Sequence, residues 1–566
     1  MAACRRSQSQ SQSSAHSAHA KVSHLPGSRT ARSPIIGALL ALAALAASMR
    51  GRAHPYTKSR RPFQLTRPFL RMLASISAAT LTGAVGRPVS VEVHVSNGLP
   101  GFTIVGLPDA AVRESRDRVR AALLSSGLPW PLRRVTVNLA PSGVRKGGAG
   151  LDLAIAVGVL VATGQIPPGR TEGLTFCGEL GLNGSLRHVP GMIALADASG
   201  DADTVNRRGL VVPLCDAREA SLVRGEAAHG VSSLAELAQI LRTDGDWPVT
   251  PPPHPPTKPP DIADLADVRG QPFGRHALEV AATGRHHLLM VGPPGSGKTM
   301  FAERLPGLLP ALTREQSLIV TRVHSAAGVL PADEGLVSRP PFRAPHHRAS
   351  IVALVGGGSW SLRPGEISLA THGVLFLDEM GEFPVMALEA LRQPLEEGVI
   401  RVSRAGGTVT FPAQFLLVAA MNPCPCGEGV FPGSCQCTVA ERARYTRRLS
   451  APLLDRFDLV VPLSRPDPEQ LLDATPGEST AASAARVAAA RARSAARKSE
   501  GEPAMHHDGA RLLASKLREG ALTARGLHKV SRVARTVADL VGAEQVSEEH
   551  VCDALFLRTA RATVAP

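Results

Sequence analysis

One octapeptide constrains the fold of this 566-residue chain more than any other feature. It follows a short apolar strand (HLLMV, 287–291) and precedes a helical segment (MFAERL, 300–305), the order that a phosphate-binding loop requires. Glycines let consecutive N–H groups point inward at an anion, and the helix N-terminus adds partial positive charge. We therefore expect ATP here, with Lys298 at the β- and γ-phosphates and Thr299 on Mg²⁺. The loop consists of Gly292, Pro293, Pro294, Gly295, Ser296, Gly297, Lys298 and Thr299.

Two further strand patterns end in polar residues. The apolar run GVLFLDE (373–379) ends in Asp378 and Glu379, at the strand end where α/β sheets bind ligands. We expect Asp378 to hold Mg²⁺ through water, and Glu379 to orient or deprotonate the attacking water. A third strand, FLLVAAM (415–421), ends at Asn422, whose side chain either contacts the γ-phosphate or the water, or merely caps the next segment.

Length and local patterns indicate several domains. Residues 1–71 have the composition of disorder, and the segment 244–261 is a Pro-rich linker, extended and poorly suited to join a core. Between them, residues 72–243 mix strands with helices, including a helix over 109–125. The nucleotide motifs occupy 262–464, and residues 465–566 are mostly helical, with a surface helix over 479–497. The chain is thus predicted to be a multidomain α/β protein.

The net charge of +15 says little about what the folded protein binds. Residues 1–71 contain 12 Lys or Arg and no acid, so the remaining residues have 51 basic against 48 acidic side chains. The longest apolar run (34–48) is short for a membrane span and only faintly similar to a signal peptide. Because an ATP site needs cytosolic ATP, we expect a cytoplasmic protein that does not enter the membrane.

Four of the eight cysteines lie within 14 residues and form two C-x-C pairs. Four thiolates at this spacing can surround zinc tetrahedrally, and reduced or redox-active thiols are the alternative. The histidine pairs at 286–287 and 346–347 are expected to be loop or phosphate-adjacent residues and not metal ligands, since neighbours on an extended segment point in opposite directions. The clustered cysteines are Cys424, Cys426, Cys435 and Cys437.

Several motifs in order resemble the magnesium-chelatase-like AAA+ ATPases, and within them the ComM (YifB) family. The resemblance covers the chain from about Met72, and it implies a Lon-protease-like α+β domain (72–243, similar to domain 2 of ribosomal protein S5), an AAA+ core (262–464) and an all-α C-terminal lid. It also implies a homo-hexameric DNA helicase that drives branch migration during natural transformation. The motifs are GPPGSGKTM, RAPHH (343–347), LVGGG (354–358), RPGEISLA (363–370), GVLFLDE, AAMNPCPCG (419–427) and LLDRFDL (453–459).

The resemblance also assigns three roles. Asn422 becomes the sensor-1 residue, Arg456 the arginine finger that reaches a neighbouring subunit's ATP, and Arg525 the sensor-2 arginine of the lid. A cation supplied across an interface would make hydrolysis depend on assembly. The alternative for Arg456 is a loop-capping role through Asp455 or Asp458.

The expected Lon-like domain raises the question of peptidase activity, which needs a serine nucleophile activated by a lysine. The corresponding stretch, 145–152 (RKGGAGLD), offers Ala149 and no serine, and Ser142 lies before the turn. We therefore expect a scaffold or a DNA-facing collar and not a peptidase. Because the resemblance starts at Met72, we further expect that residue to be the true start and residues 1–71 to be an artefact of start-site assignment.

Two segments are candidates for pore inserts: 343–363, and a hairpin over 399–410 that turns at Ala405–Gly407. Arg401 and Arg404 on the hairpin either contact a phosphate backbone or are ordinary solvated side chains. Two rivals to the helicase hypothesis remain: a magnesium- or cobalt-chelatase motor subunit, and a motor that remodels proteins. Chelatase subunits normally lack the Lon-like domain and the C-x-C pairs.

Overall fold

The computed structural model describes residues 72–143, 146–199, 209–249, 262–331, 335–358, 362–404, 407–428, 435–472, 476–500 and 505–558. The expectations for residues 1–71, for Arg145, for most of the Pro-rich linker (250–261) and for the hairpin tip (405–406) lie outside these residues. No helix in the described ranges combines the length and apolar character that a bilayer crossing requires.

The N-terminal region consists of strands of two to twelve residues and of amphipathic or apolar helices. The helix predicted over 109–125 begins at Ala110, because the carboxylate of Asp109 accepts the Val112 N–H and caps it (2.8 Å). The elements are β1 Leu73–Thr82, β2 Val85–Ser96, β3 Gly101–Val105, α1 Ala110–Ser125, β4 Arg134–Ala140, α2 Asp152–Ala162, β5 Leu174–Phe176, β6 Glu179–Leu180, β7 Leu186–Arg187, α3 Met192–Ala198, β8 Gly209–Pro213, α4 Ala217–Arg224, β9 Ala228–Val231 and α5 Leu234–Thr243.

Seven of these strands form one mixed sheet in the order β3-β4-β2-β1-β5-β8-β9. Every residue of α2 is buried, as its nearly continuous apolar sequence dictates. Its one charged residue, Asp152, is paired with Arg118 (2.7 Å), so no buried charge is left alone. The start of the expected linker also packs here, since the Trp247 ring stacks on His229 at 4.4 Å.

The nucleotide-motif region alternates helices with short buried strands. Its hairpin β15–β16 is antiparallel, as predicted. The elements are α6 Pro272–Gly284, β10 Leu288–Val291, α7 Lys298–Arg304, α8 Arg314–Ala327, β11 Phe342–Arg343, α9 Ile351–Val355, β12 Gly356–Gly357, β13 Arg363–Pro364, α10 Glu366–Leu369, β14 Val374–Leu377, α11 Val385–Glu389, α12 Arg392–Glu397, β15 Val399–Arg404, β16 Gly407–Pro412, β17 Leu416–Met421, α13 Val439–Thr446, α14 Ala451–Leu454 and β18 Leu459–Pro462.

Five strands of this region form a parallel sheet in the order β11-β14-β17-β10-β18. Strand β17 lies between β14 and β10, with Leu377 opposite Ala419 and Val291 opposite Met421. Because the strands are parallel, all of them end at one edge of the sheet, which we call the carboxyl edge. The residues that follow β10, β14 and β17 therefore meet there.

The described C-terminal residues form only helices, which confirms the predicted α/β class with an all-helical C-terminal region. The surface helix predicted over 479–497 spans Thr480–Glu500, and one of its faces is buried. Val487 and Ala490 are buried, and Val487 belongs to one hydrophobic core with α6 and the sheet. The local pattern of Ala and Arg cannot reveal which face is buried, because the elements that cover it are distant in sequence. The helices are α15 Pro468–Leu472, α16 Thr480–Glu500, α17 His507–Arg518, α18 Ala524–Val541 and α19 Glu548–Phe556.

Candidate active site

The glycine-rich loop curls over the carboxyl edge between β10 and α7. The Gly292 N–H donates to the Met421 carbonyl at 3.2 Å, and a Cβ on Gly292 would lie 2.4 Å from the Leu463 carbonyl oxygen. A side chain is therefore excluded at this position. Gly297 precedes α7 with a left-handed φ of 81°. The loop thus presents backbone N–H groups and a helix N-terminus to the same space.

Lys298 lies within this loop. Its ammonium donates to the carbonyl oxygens of Gly292 (2.8 Å) and Pro293 (2.9 Å), and to the Asn422 side-chain oxygen (3.3 Å). Burial lowers the pKa of Lys298, and the charge of Asp378 opposes that shift. The structure therefore brings the predicted lysine and the predicted sensor-1 residue into direct contact.

Thr299 and Asp378 are joined by a hydrogen bond of 2.9 Å from the hydroxyl to the carboxylate. Adjacent oxygen ligands of an octahedral Mg²⁺ at 2.0–2.1 Å lie about 2.9 Å apart. The donor set and its spacing would fit a magnesium ion held by Thr299 and Asp378.

Glu379 has a left-handed backbone (φ 50°), and its carboxylate pairs with His347 Nδ1 at 3.1 Å. The expectation that His346 and His347 point in opposite directions is wrong, because their rings stand 4.1 Å apart. The chain turns at 347–348 and is not extended there. Sequence reasoning missed His347 as a partner of Glu379, although the RAPHH motif singled out the segment.

Arg456 and Arg525 are not part of this cluster. Strand β18 pairs with β10 so that Leu459 lies opposite Leu288, at the amino end of β10. Arg456 comes three residues before β18, so it lies near the opposite edge of the sheet, which we call the amino edge. Gly292 is four residues beyond Leu288, and the strand alone separates the two positions by roughly 13 Å.

Arg456 forms an ion pair with Glu396, and its Nε has no hydrogen-bond partner within the described residues. Burial, followed by the charge of the nearby Arg525, lowers the pKa of Arg456. Asp458, one of the two acids considered as its capping partner, instead accepts the His287 N–H (3.1 Å) and pairs with Lys529 (2.9 Å).

Lys529 is a second residue that sequence reasoning missed. Its ammonium also donates to the Arg456 carbonyl at 2.8 Å, so it fixes α18 against the turn that carries the arginine. The sequence feature that could have identified Lys529 is its position one helical turn after Arg525. Burial lowers the pKa of Lys529, and Asp458 opposes that shift.

The four clustered cysteines converge, with all sulfur atoms within 4.8 Å of one another. Cys424 and Cys426 are 3.2 Å apart, and Cys435 lies 3.7 Å from each of them. Tetrahedral zinc with bonds near 2.3 Å separates its sulfur ligands by about 3.8 Å. Hydrogen bonding from the Glu428 backbone, and then from the thiols of Cys424 and Cys437, lowers the pKa of Cys426 to about 6. The sulfur positions and the lowered pKa of Cys426 fit a zinc ion.

The expected Lon-like stretch and the predicted hairpin make ordinary intramolecular contacts. Lys146 of the expected Lon-like stretch is fully buried and donates to the Pro141 carbonyl, while Ser142 is exposed. Arg401 pairs with Glu397, its neighbour at the base of the hairpin. The side chain of Arg404 lies outside the described residues.

Comparison with known proteins gives matches along most of the chain. Residues 264–471 match the family model of magnesium chelatase, subunit ChlI; residues 91–215 and 477–558 match models of the same subunit and of its C-terminal part. An uncharacterized protein of Mycobacterium tuberculosis is 44% identical over 506 residues, which are 85% of this chain and 97% of that protein. The competence protein ComM of Haemophilus influenzae is 40% identical over 515 residues (86% and 97%), and the uncharacterized protein YifB of Escherichia coli is 39% identical over 511 (86% and 97%). The chain therefore belongs to the ComM/YifB family of magnesium-chelatase-like AAA+ proteins.

Proposed function

We propose that the chain is a magnesium-dependent ATPase. The observation that carries this proposal is the meeting of Lys298, Asn422, Thr299 and Asp378 at the carboxyl edge of one parallel sheet. Magnesium would neutralise phosphate charge there. Lys298 would hold the β- and γ-phosphates, Asn422 the γ-phosphate or the water, and Glu379 would orient or deprotonate that water.

The active unit in this proposal is a ring, with six subunits as the family resemblance implies. Arg456 lies near the amino edge of its own sheet, so a neighbouring subunit's nucleotide is the one that its guanidinium would stabilise. Arg525 lies near Arg456 and would approach the same neighbouring site. Hydrolysis would then require assembly.

We further propose DNA as the track, in the cytoplasm, with ATP turnover coupled to strand or branch movement during natural transformation. The support is the family membership and the relative named competence protein ComM. A chelatase motor is the second candidate, because the matching family models are described by a magnesium-chelatase subunit.

The deciding experiment measures ATP turnover of the full chain with forked DNA, with a porphyrin plus Mg²⁺ or Co²⁺, and with an unfolded protein. We expect forked DNA to stimulate turnover and the other two additions to leave it at the basal rate. A rate that responds to the porphyrin alone would favour the chelatase function. A chain that forms a ring and hydrolyses ATP without binding or responding to DNA would overturn the helicase proposal.

We also propose that the cysteine cluster holds one structural zinc ion. Metal analysis of purified protein should give about one zinc per chain. Cys426→Ser and Cys437→Ser should each abolish that content, while Cys552→Ser, an exposed cysteine outside the cluster, should retain it. Protein that carries no zinc after expression with added zinc would point to reduced or redox-active thiols instead.

A further inference from the structure

A cavity of about 690 Å³ lies between the end of α6 and helices α16 and α18. The end of α6 leads into the start of β10, whereas the phosphate-binding loop follows the end of that strand. The cavity is therefore separate from the candidate active site. We call it the arginine cavity after five residues that line it: Arg285, Arg491, Arg497, Arg532 and Arg535.

The lining of the arginine cavity has a large excess of positive charge. Five guanidinium groups face one carboxylate, Asp539, so the excess is four charges with the histidines neutral. Arg497 and Arg535 already share Asp539, at 2.7 and 3.0 Å. Burial, followed by the charge of Arg491, lowers the pKa of Arg285, so the like charges are close enough to disfavour one another.

Two of the remaining arginines leave donors for a ligand. Arg491 donates through Nη1 to the carbonyls of Ala282 (2.9 Å) and Thr283 (3.3 Å), which fixes its guanidinium at the end of α6. Arg532 is exposed on α18. Among the residues that line the cavity, no second carboxylate is present to neutralise either of them.

Thr283 supplies an independent observation. Its side chain lines the cavity and is only 8% exposed, and its hydroxyl has no hydrogen-bond partner within the described residues. A buried hydroxyl without a partner costs free energy, which a ligand oxygen at this position would recover.

We propose that the arginine cavity binds a phosphate-bearing anion. Guanidinium forks match phosphate oxygens, and several of them in one partly enclosed cavity favour an anion with more than one phosphate. The volume falls in the range of small-molecule pockets, so it accommodates a polyphosphate chain. The same chemistry is offered by a free polyphosphate or nucleotide and by the backbone of a nucleic-acid strand.

The test uses the full chain with Lys298→Ala, so that the phosphate-binding loop does not contribute. Calorimetry without Mg²⁺ measures the affinity for inorganic tripolyphosphate, and fluorescence anisotropy measures the affinity for a single-stranded oligonucleotide. Arg532→Gln is the principal variant because this side chain is exposed and its loss leaves the core intact. Arg518→Gln, an exposed arginine of α17 outside the cavity, is the matched control.

We expect Arg532→Gln to weaken tripolyphosphate binding by about tenfold, as the loss of one charge-assisted contact does, and Arg518→Gln to leave it unchanged. In one outcome the oligonucleotide binds while tripolyphosphate does not. If Arg532→Gln then weakens oligonucleotide binding and the control Arg518→Gln does not, the ligand is a nucleic-acid strand and the cavity proposal holds. Arg285→Gln is the second variant. If neither Arg532→Gln nor Arg285→Gln weakens either interaction, the cavity is not a phosphate site. The outcome does not depend on ATP hydrolysis.

Discussion

At the candidate active site, Lys298 and Glu379 are proposed to have different tasks, so their variants should fail in different ways. Lys298→Ala removes the cation at the loop centre and should weaken ATP binding as well as abolish turnover. Glu379→Gln keeps the shape but loses the base, so it should bind ATP and reduce turnover by at least about a hundredfold. Equilibrium binding of a fluorescent ATP analogue and steady-state turnover separate the two. A Glu379→Gln protein with unchanged turnover would show that another group activates the water.

His347 holds the carboxylate that the proposed mechanism needs. A charge-assisted contact to a half-exposed carboxylate contributes about 1 kcal/mol, equivalent to about fivefold in rate. We therefore expect His347→Ala to raise basal ATP turnover by about that factor and to reduce the further stimulation by DNA. His346→Ala is the control, since it removes the neighbouring ring but leaves the contact between His347 and Glu379. A lower kcat for His347→Ala with unchanged KM would mean that His347 positions Glu379 for reaction.

At the scale of elements, the start of β10 should make the fold acid-sensitive. Exclusion of water lowers the pKa of His287 from 6.5 to about 4, and neutral Nδ1 accepts the Leu417 N–H of the adjacent strand (3.1 Å). Below pH 6.5 the unfolded chain therefore binds a proton that the folded chain does not. The free energy of unfolding should fall as pH drops from 6.5 to 4, by at most about 1.4 kcal/mol per pH unit from this group.

Urea unfolding between pH 7 and pH 5 measures this slope. His287→Gln should flatten it, because the side chain no longer takes up a proton in the unfolded state. His507→Gln, at a histidine that is 81% exposed, should leave it unchanged. An identical slope for wild type and His287→Gln would assign the acid sensitivity to other groups, among them the neighbouring His286.

The elements that the sequence predicts best are those marked by a pattern of neighbouring residues. Strands ending in Asp378 and Asn422 were predictable because an apolar run followed by a polar residue marks the edge of a parallel sheet. The contact between His347 and Glu379 was not, since a turn replaces the expected extended segment. Likewise, the partner of Arg456 is Glu396, sixty residues earlier in the chain, and no local spacing encodes that distance.

For the whole molecule, the sheet places the candidate site and Arg456 near opposite edges, so in the proposed ring each subunit would carry two incomplete halves of an ATP site. A chain with Lys298→Ala lacks a working nucleotide loop but keeps its arginine, whereas Arg456→Ala keeps the loop and lacks the arginine. Each should be inactive alone. Mixed one to one and assembled randomly, they should recover about a quarter of wild-type turnover, because one interface in four pairs an intact loop with an intact arginine.

The mixing experiment separates action across the interface from action within one chain. The double variant Lys298→Ala/Arg456→Ala, mixed with Arg456→Ala, contains no intact arginine and should recover nothing. Size-exclusion chromatography must show that each mixture forms the same assembly as wild type. If the single variants recover no activity although mixed rings form, Arg456 does not serve a neighbouring site. Its ion pair with Glu396 would then be its main role.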